Sequence, residues 1–138
     1  MPLTYEVDSD RRLVIATGHG VLTDGDIFGY QETVWSRPEV RGFDEIVDVT
    51  GVEKIEYQSH QRVGKLAELS AGMDSPAKTR LAIVAPDATA FGLARMYQAY
   101  RGLQARSTKE VAVFRDLAQA LQWLSAGRPA AVPSGQGT

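Results

Sequence analysis

The side chains that could bind a ligand or take part in catalysis lie mostly in one segment, between positions 48 and 60. This segment contains the polar residues Asp48, Thr50, Glu56, Tyr57, Ser59 and His60. A neutral imidazole can bind a transition metal or exchange a proton near neutral pH. However, His60 has no second ligand at helical spacing, the chain has no cysteine, and the other histidine, His19, lies between two glycines in a predicted turn. We therefore predict no metal site and no cofactor.

Catalytic arrangements are also poorly supported by the spacing. Ser59 and His60 are adjacent, and adjacent side chains on a helix point about 100° apart, so they do not form a nucleophile and base pair. The Gly-Lys of "VGKL" lacks the upstream glycine of a phosphate-binding loop, whose position Ser59 occupies. We expect a protein that is not an enzyme. A small enzyme using Asp48, Tyr57 and His60 remains an alternative.

Composition limits the kind of partner. The 138 residues include 15 Lys and Arg interspersed with 17 Asp and Glu, for a net charge of −2, whereas nucleic-acid binding needs clustered positive charge. We expect no nucleic-acid partner. The first residues lack a signal-peptide pattern, and no apolar run reaches the ~20 residues of a membrane span, which predicts a cytoplasmic protein without integral membrane association.

Hydrophobic periodicity predicts strands and helices in alternation. Strands are expected at 3–7, 13–17, 43–49, 79–85 and 110–114, with the fourth central in the sheet, and helices at 23–37, 57–71, 87–102 and 116–127. Local signals support these bounds: Thr23 and Asp26 have capping-box spacing, Asp87 is a helix cap, and Thr50-Gly51 reads as a turn after the third strand.

This order predicts one α/β domain over residues 1–126. Its sheet should be mixed but mostly parallel, with about five strands, an N-terminal β-hairpin and four helices. Residues 127–138 hold two prolines and two glycines among small residues without periodicity, which predicts a disordered C-terminal tail.

In such a sheet, ligands and partners meet the edge formed by the carboxyl ends of the strands and the amino ends of the helices. The segment from Asp48 to His60 is expected at that edge. The alternative is structural: Asp48 and Thr50 cap the turn, and Gln58 or Ser59 serves the helix start. The third helix carries Leu93, Met96, Tyr97 and Tyr100 at helical spacing, a pattern typical of a core face. Phe91 and Tyr100 cannot both share this stripe without widening it, which leaves room for an apolar ligand or partner.

The order of elements, together with "FGLARMY" at 91–97 and "VAVFRDLAQALQWL" at 111–124, resembles the SpoIIAA-like (STAS) superfamily over about residues 3–126. This is the fold of bacterial anti-sigma factor antagonists. More narrowly, the sequence of these two segments is similar to the SpoIIAA-like branch that is often grouped with CRAL-TRIO lipid-binding domains.

The resemblance implies a particular role for one corner of the fold. In the antagonists a strand ending Asp-Leu-Ser is followed by a hydrophobic residue and Asp-Ser-Ser-Gly, whose first serine is phosphorylated by the partner kinase. Asp48-Val49-Thr50 matches the strand end, and Tyr57 takes the position of the phosphoacceptor serine. A phenol does not replace a serine hydroxyl in this role, so the resemblance implies a binding domain without the phosphorylation switch.

We therefore expect a regulatory domain that binds a protein partner or a small apolar, lipid-like ligand, and a homodimer is plausible. The expected surface joins the segment described above to the third helix through Arg95 and Tyr97. The alternative within the binding class is a phosphorylation-regulated anti-sigma factor antagonist that uses Ser59 as the acceptor.

Overall fold

The computed structural model describes residues 2–127. Its strands are β1 (Leu3–Asp8), β2 (Leu13–Thr23), β3 (Asp44–Glu56), β4 (Thr79–Val84) and β5 (Lys109–Phe114), and its helices are α1 (Asp24–Val34), α2 (His60–Gly72), α3 (Ala88–Gly102) and α4 (Leu117–Gly127). A short 3₁₀ turn, Pro38–Val40, follows α1. The predicted order of elements is confirmed. Apart from Gly127, the predicted tail lies outside the described residues.

The sheet has the order β1-β2-β3-β4-β5, with β1 antiparallel to β2 and all other pairs parallel. The predicted single α/β domain with a mixed, mostly parallel sheet and an N-terminal hairpin is therefore confirmed. Strand order follows chain order, and right-handed crossovers that step in one direction place their helices on one face of the sheet. Accordingly, α1, α2 and α3 share one face, and α4 packs on the other.

Two helix starts follow the sequence signals. The Thr23 hydroxyl accepts the Asp26 N–H at 3.1 Å, and the Asp26 carboxylate accepts the Thr23 N–H at 2.9 Å, which is the predicted capping box. At α3, the Asp87 carboxylate accepts the Ala90 N–H at 2.8 Å. These caps satisfy N–H groups that have no partner within the helix.

The third strand differs from the prediction. The predicted turn at Thr50-Gly51 is wrong, because β3 runs on to Glu56 and stays paired with β2, whose own extension passes Gly18 and Gly20 to Thr23. Two register shifts interrupt this pairing, and Gly20 adopts a φ of 59°, a conformation that glycine tolerates without steric cost. Consequently α2 begins at His60, about three residues later than predicted.

The predicted apolar stripe of the third helix is also corrected. In α3 the buried residues are Ala90, Ala94, Tyr97 and Arg101, while Leu93, Met96 and Tyr100 are only half-buried. In α4, Ala120 and Leu124 are buried and Leu117 is exposed. The small alanines of α3 lie over the sheet, and this arrangement leaves space between the helices and the strands.

Candidate functional site

A cavity of about 140 Å³ lies between the sheet and the three helices on its α1–α3 face. Most of its lining is apolar. The strands contribute Leu3, Leu22, Val47, Val49, Ile55, Leu81 and Ile83, and the helices contribute Ile27, Phe28, Val63, Leu66, Ala90, Leu93 and Ala94. Polar lining is confined to a few side chains, namely Asp24, Tyr30, Gln31, Glu45, Tyr57, Arg62 and Tyr97. Clefts of this composition are typical of small-molecule sites.

The outer polar group lies near the carboxyl ends of β2 and β3. Arg62 donates from Nε to the Asp24 carboxylate at 3.1 Å, and its guanidinium lies 4.2 Å from the centre of the Phe28 ring. The Asp24 carboxylate also accepts the Gln58 N–H at 3.1 Å. Tyr57 is exposed, and the Arg62 side chain is 35% exposed. These residues form the mouth of the cavity.

Burial and hydrogen bonding affect the pKa of Asp24 in opposite directions. Partial burial raises this pKa, but the hydrogen bond from the Gln58 N–H and the Arg62 guanidinium lower it by more, so the net pKa lies below its ordinary value of 3.8. Asp24 is therefore ionised at neutral pH. The mouth is held by a pair of opposite charges.

The inner polar group centres on Glu45, the second residue of β3. Its carboxylate accepts three hydrogen bonds, from Tyr30 Oη at 2.7 Å, Trp35 Nε1 at 3.1 Å and Lys109 Nζ at 3.0 Å. The Lys109 ammonium also lies 3.6 Å from the centre of the Trp35 ring. Glu45 and Lys109 are 4% and 5% exposed, so this is a buried ion pair with its partners in place.

A second buried network lies beside the first. The Arg101 guanidinium makes two bonds to the Asp74 carboxylate, at 2.6 and 3.0 Å, and a third from Nε to the Tyr97 hydroxyl at 2.9 Å. The Tyr97 hydroxyl is also hydrogen-bonded to Ser70 Oγ at 2.7 Å. Although burial lowers the pKa of Arg101, the bonds to Asp74 raise it more, so the guanidinium stays charged.

The phenols of the inner group stay protonated. Burial raises the pKa of Tyr30 well above 10, and the adjacent Glu45 carboxylate raises it further. Burial also raises the pKa of Tyr97. Both hydroxyls are held in hydrogen bonds within the protein. This geometry suits a fixed polar surface, and it does not leave a free acid or base for proton transfer.

The predicted site residues separate into two sets. Only Tyr57 and Tyr97 line the cavity, the first near the mouth and the second at the inner end. The remaining candidates lie outside it. Asp48 accepts the Thr50 N–H at 2.9 Å, Glu56 pairs with Lys54 at 3.2 Å, His60 stacks on Tyr57 at 5.8 Å between ring centres, and Ser59 and Arg95 are exposed. Their role as contacts for a partner stays a prediction.

Sequence reasoning missed the inner polar group, which lies at the amino ends of the strands. A signal for it was present in β3. Side chains alternate along a strand, so Glu45 must share a face with the apolar Val47 and Val49. A charged residue on that face needs a buried partner. Identifying Lys109 as this partner requires the sheet, because the two residues lie far apart in the sequence.

Within the described part of the chain, no group of three His, Cys, Asp or Glu residues is placed to hold a metal ion.

The fold is similar to that of a solved structure. This structure is an uncharacterised protein of the DUF3478 family with a SpoIIAA-like fold, from Shewanella loihica PV-4; the superposition has a TM-score of 0.54 at 19% sequence identity and covers 88% of this chain and 91% of that one. The chain has a SpoIIAA-like fold. No protein-family model and no curated protein matches it. The likeness of this SpoIIAA-like domain to CRAL-TRIO domains stays a prediction.

Across residues 2–127, none of the helices combines the length and apolar character that crossing a membrane requires.

The SpoIIAA-like fold gives Tyr57 a defined position. Because β3 extends to Glu56, Tyr57 precedes the helix, and Ser59 occupies the N-cap of α2. Tyr57 contributes to the cavity instead of beginning the helix. The hydroxyl at the helix start belongs to Ser59, which makes no side-chain capping bond.

Proposed function

We propose that this SpoIIAA-like domain is a non-catalytic binding domain for a small apolar, lipid-like molecule. The observation that carries the proposal is the cavity of about 140 Å³ between the sheet and helices α1–α3. An engineered apolar cavity of about 150 Å³ in another protein binds benzene. The cavity therefore suits a single aromatic ring or a short aliphatic chain. It extends to the mouth at Tyr57.

Two features of the lining support binding without catalysis. The ionisable side chains at the inner end are held in the Glu45 and Arg101 networks, so they are not free to exchange protons with a ligand. The apolar side chains surround most of the remaining space, and apolar contact supplies affinity in proportion to the area removed from water.

The test fills the cavity from one helix and uses the same substitution elsewhere on that helix as a control. Ala94 of α3 lines the cavity, and Ala99 of α3 is exposed. Ala94→Leu places extra carbon atoms in the cavity, whereas Ala99→Leu places them at the surface. Toluene binding to the full chain is measured by isothermal titration calorimetry, and native mass spectrometry of protein purified from its own host identifies any retained small molecule.

We expect toluene to bind the wild type and Ala99→Leu equally and to bind Ala94→Leu at least about tenfold more weakly, because the leucine occupies the ligand's volume. Thermal unfolding checks that both variants fold. Equal binding by all three proteins would place the ligand elsewhere. If the wild type binds no toluene and no small molecule is retained, the proposal is wrong.

A second candidate is a phosphorylation-regulated anti-sigma factor antagonist that uses Ser59. The supporting observation is that Ser59 is exposed at the N-cap of α2 and makes no capping bond through its side chain. A phosphate there would lie beside free N–H groups at the positive end of a helix. The test is incubation with cognate kinases and ATP, followed by mass spectrometry. A phosphate on Ser59 that is absent from Ser59→Ala would support this role, and unmodified protein would exclude it.

A further inference from the structure

One polar side chain that lines the cavity lacks a strong partner. Gln31 of α1 is 7% exposed, and the hydrogen bond its carboxamide makes is the weak one from Nε2 to the Met73 sulfur, at 3.7 Å. A carboxamide offers two N–H donors and two acceptor lone pairs. Buried polar groups are normally paired, because leaving them without a partner costs free energy. Gln31 therefore has hydrogen-bonding capacity that no other group within residues 2–127 uses.

The other polar groups at the inner end do not share this property. Tyr30 donates to Glu45 and accepts from Trp35, and the Tyr97 hydroxyl is bonded to Ser70 and Arg101. Gln31 is thus the group at the inner end that is left to meet a ligand.

Charge decides which kind of ligand atom suits this position. Two buried charge pairs lie at or next to the inner end, Glu45 with Lys109 and Asp74 with Arg101. Of these side chains, Glu45 lines the cavity. Each pair is balanced, so neither ammonium nor guanidinium is free to neutralise an incoming anion. A buried carboxylate without a partner is strongly unfavourable, and the Glu45 carboxylate would repel it. A neutral group avoids both costs.

We propose that the ligand is a small neutral amphiphile that enters with its polar end first, and that a hydroxyl at this end hydrogen-bonds to Gln31. A hydroxyl both donates and accepts, so it matches the carbonyl and the amino group of the carboxamide. The apolar body then extends along Val47, Val49 and Leu66 towards the mouth at Tyr57. This inference rests on the proposed function, since it names the chemical class bound in the same cavity.

The experiment compares three probes of nearly the same shape, toluene, p-cresol and p-toluate, by calorimetry on the full chain. Gln31→Met keeps the length of the side chain but removes its amide. Gln122→Met makes the same change at an exposed position of α4, on the opposite face of the sheet. A second variant, Gln31→Leu, repeats the test with a different apolar side chain, and thermal unfolding reports folding of each.

We expect p-cresol to bind the wild type about fivefold more tightly than toluene, as one added hydrogen bond implies, and p-toluate to bind more weakly than both. In Gln31→Met and Gln31→Leu the order reverses, with toluene the tighter ligand, because the phenol then loses its partner. Gln122→Met keeps the wild-type order.

Three results would overturn the inference. The first is wild-type protein that binds toluene as tightly as p-cresol, which would leave the proposed function standing and remove only the polar contact. The second is tighter binding of p-toluate, which would show that an anion is accepted. The third is a p-cresol preference that survives in both Gln31 variants. If no probe binds, the proposed function fails together with the inference.

Discussion

The two faces of the sheet are built differently. On the α4 face, Ile46, Ala82, Val84 and Ala120 are fully buried in one apolar cluster, and the ion pair between Arg80 and Glu110 lies at the surface. On the α1–α3 face, the helices leave a cavity, and the charges at its inner end are buried in pairs.

The difference between the faces is one of packing. Protein interiors are normally close-packed, and the α4 face follows that rule in its apolar cluster. The α1–α3 face places polar groups at both ends of an apolar space, an arrangement that suits the ligand binding proposed above. One sheet thus carries a face with a buried apolar cluster and a face with a cavity, and its strands contribute to both because their side chains alternate.

The largest expected difference between the faces comes from one substitution made on each. Glu45→Gln leaves the buried Lys109 ammonium without its counter-charge, and we expect a loss of about 3–5 kcal/mol in the free energy of unfolding. Glu110→Gln removes a carboxylate whose side chain is 63% exposed, and we expect a loss below about 1 kcal/mol. Urea denaturation of each variant measures both values.

A double variant tests the origin of the larger loss. Glu45→Gln combined with Lys109→Met removes both charges, so it should be more stable than Glu45→Gln alone. Equal losses for the Glu45 and Glu110 variants would show that the two ion pairs do not differ in burial as described.

A smaller contrast concerns packing. Ile46→Val removes one methylene from the closed α4 face, where Ile46 is fully buried, and we expect a cost of about 1 kcal/mol. Ile83→Val makes the same change at a residue that lines the cavity. Fewer atoms surround the removed group there, so the expected cost is less than half as large. Chemical denaturation distinguishes the two, and a larger cost for Ile83→Val would contradict the open packing of the α1–α3 face.

The smallest effect is the pH dependence at the mouth. The pKa of Asp24 is lower in the folded protein than its ordinary value of 3.8, so ionised Asp24 favours the folded state. Its contribution is complete well above pH 3.8 and is lost as the pH falls through the folded-state pKa. Urea denaturation from pH 7 to pH 3 should show the stability difference between wild type and Asp24→Asn shrinking below about pH 4. A difference that stays constant over this range would show that Asp24 gains nothing from Arg62 and Gln58.

Local signals in the sequence predicted the features that depend on neighbouring residues. The capping box of Thr23 and Asp26 and the cap by Asp87 involve residues three apart. The residue types at these positions are therefore sufficient to predict the caps. The length of β3 was not predictable in this way, because Thr50-Gly51 has the composition of a turn. Only continued pairing with β2 keeps the segment extended, and this pairing is a long-range contact.

The sequence by itself determined the order of the elements and the single α/β domain, because periodicity and turn residues act over short distances. The SpoIIAA-like fold was expected from a family resemblance of segments 91–97 and 111–124. The tertiary structure decided the site. Gln31, Glu45 and Tyr97 come from three different elements, and only the packing of helices against the sheet places them around one cavity. The physical reason is that enclosed space and buried charge pairs are properties of distant residues brought together, and no local pattern encodes them.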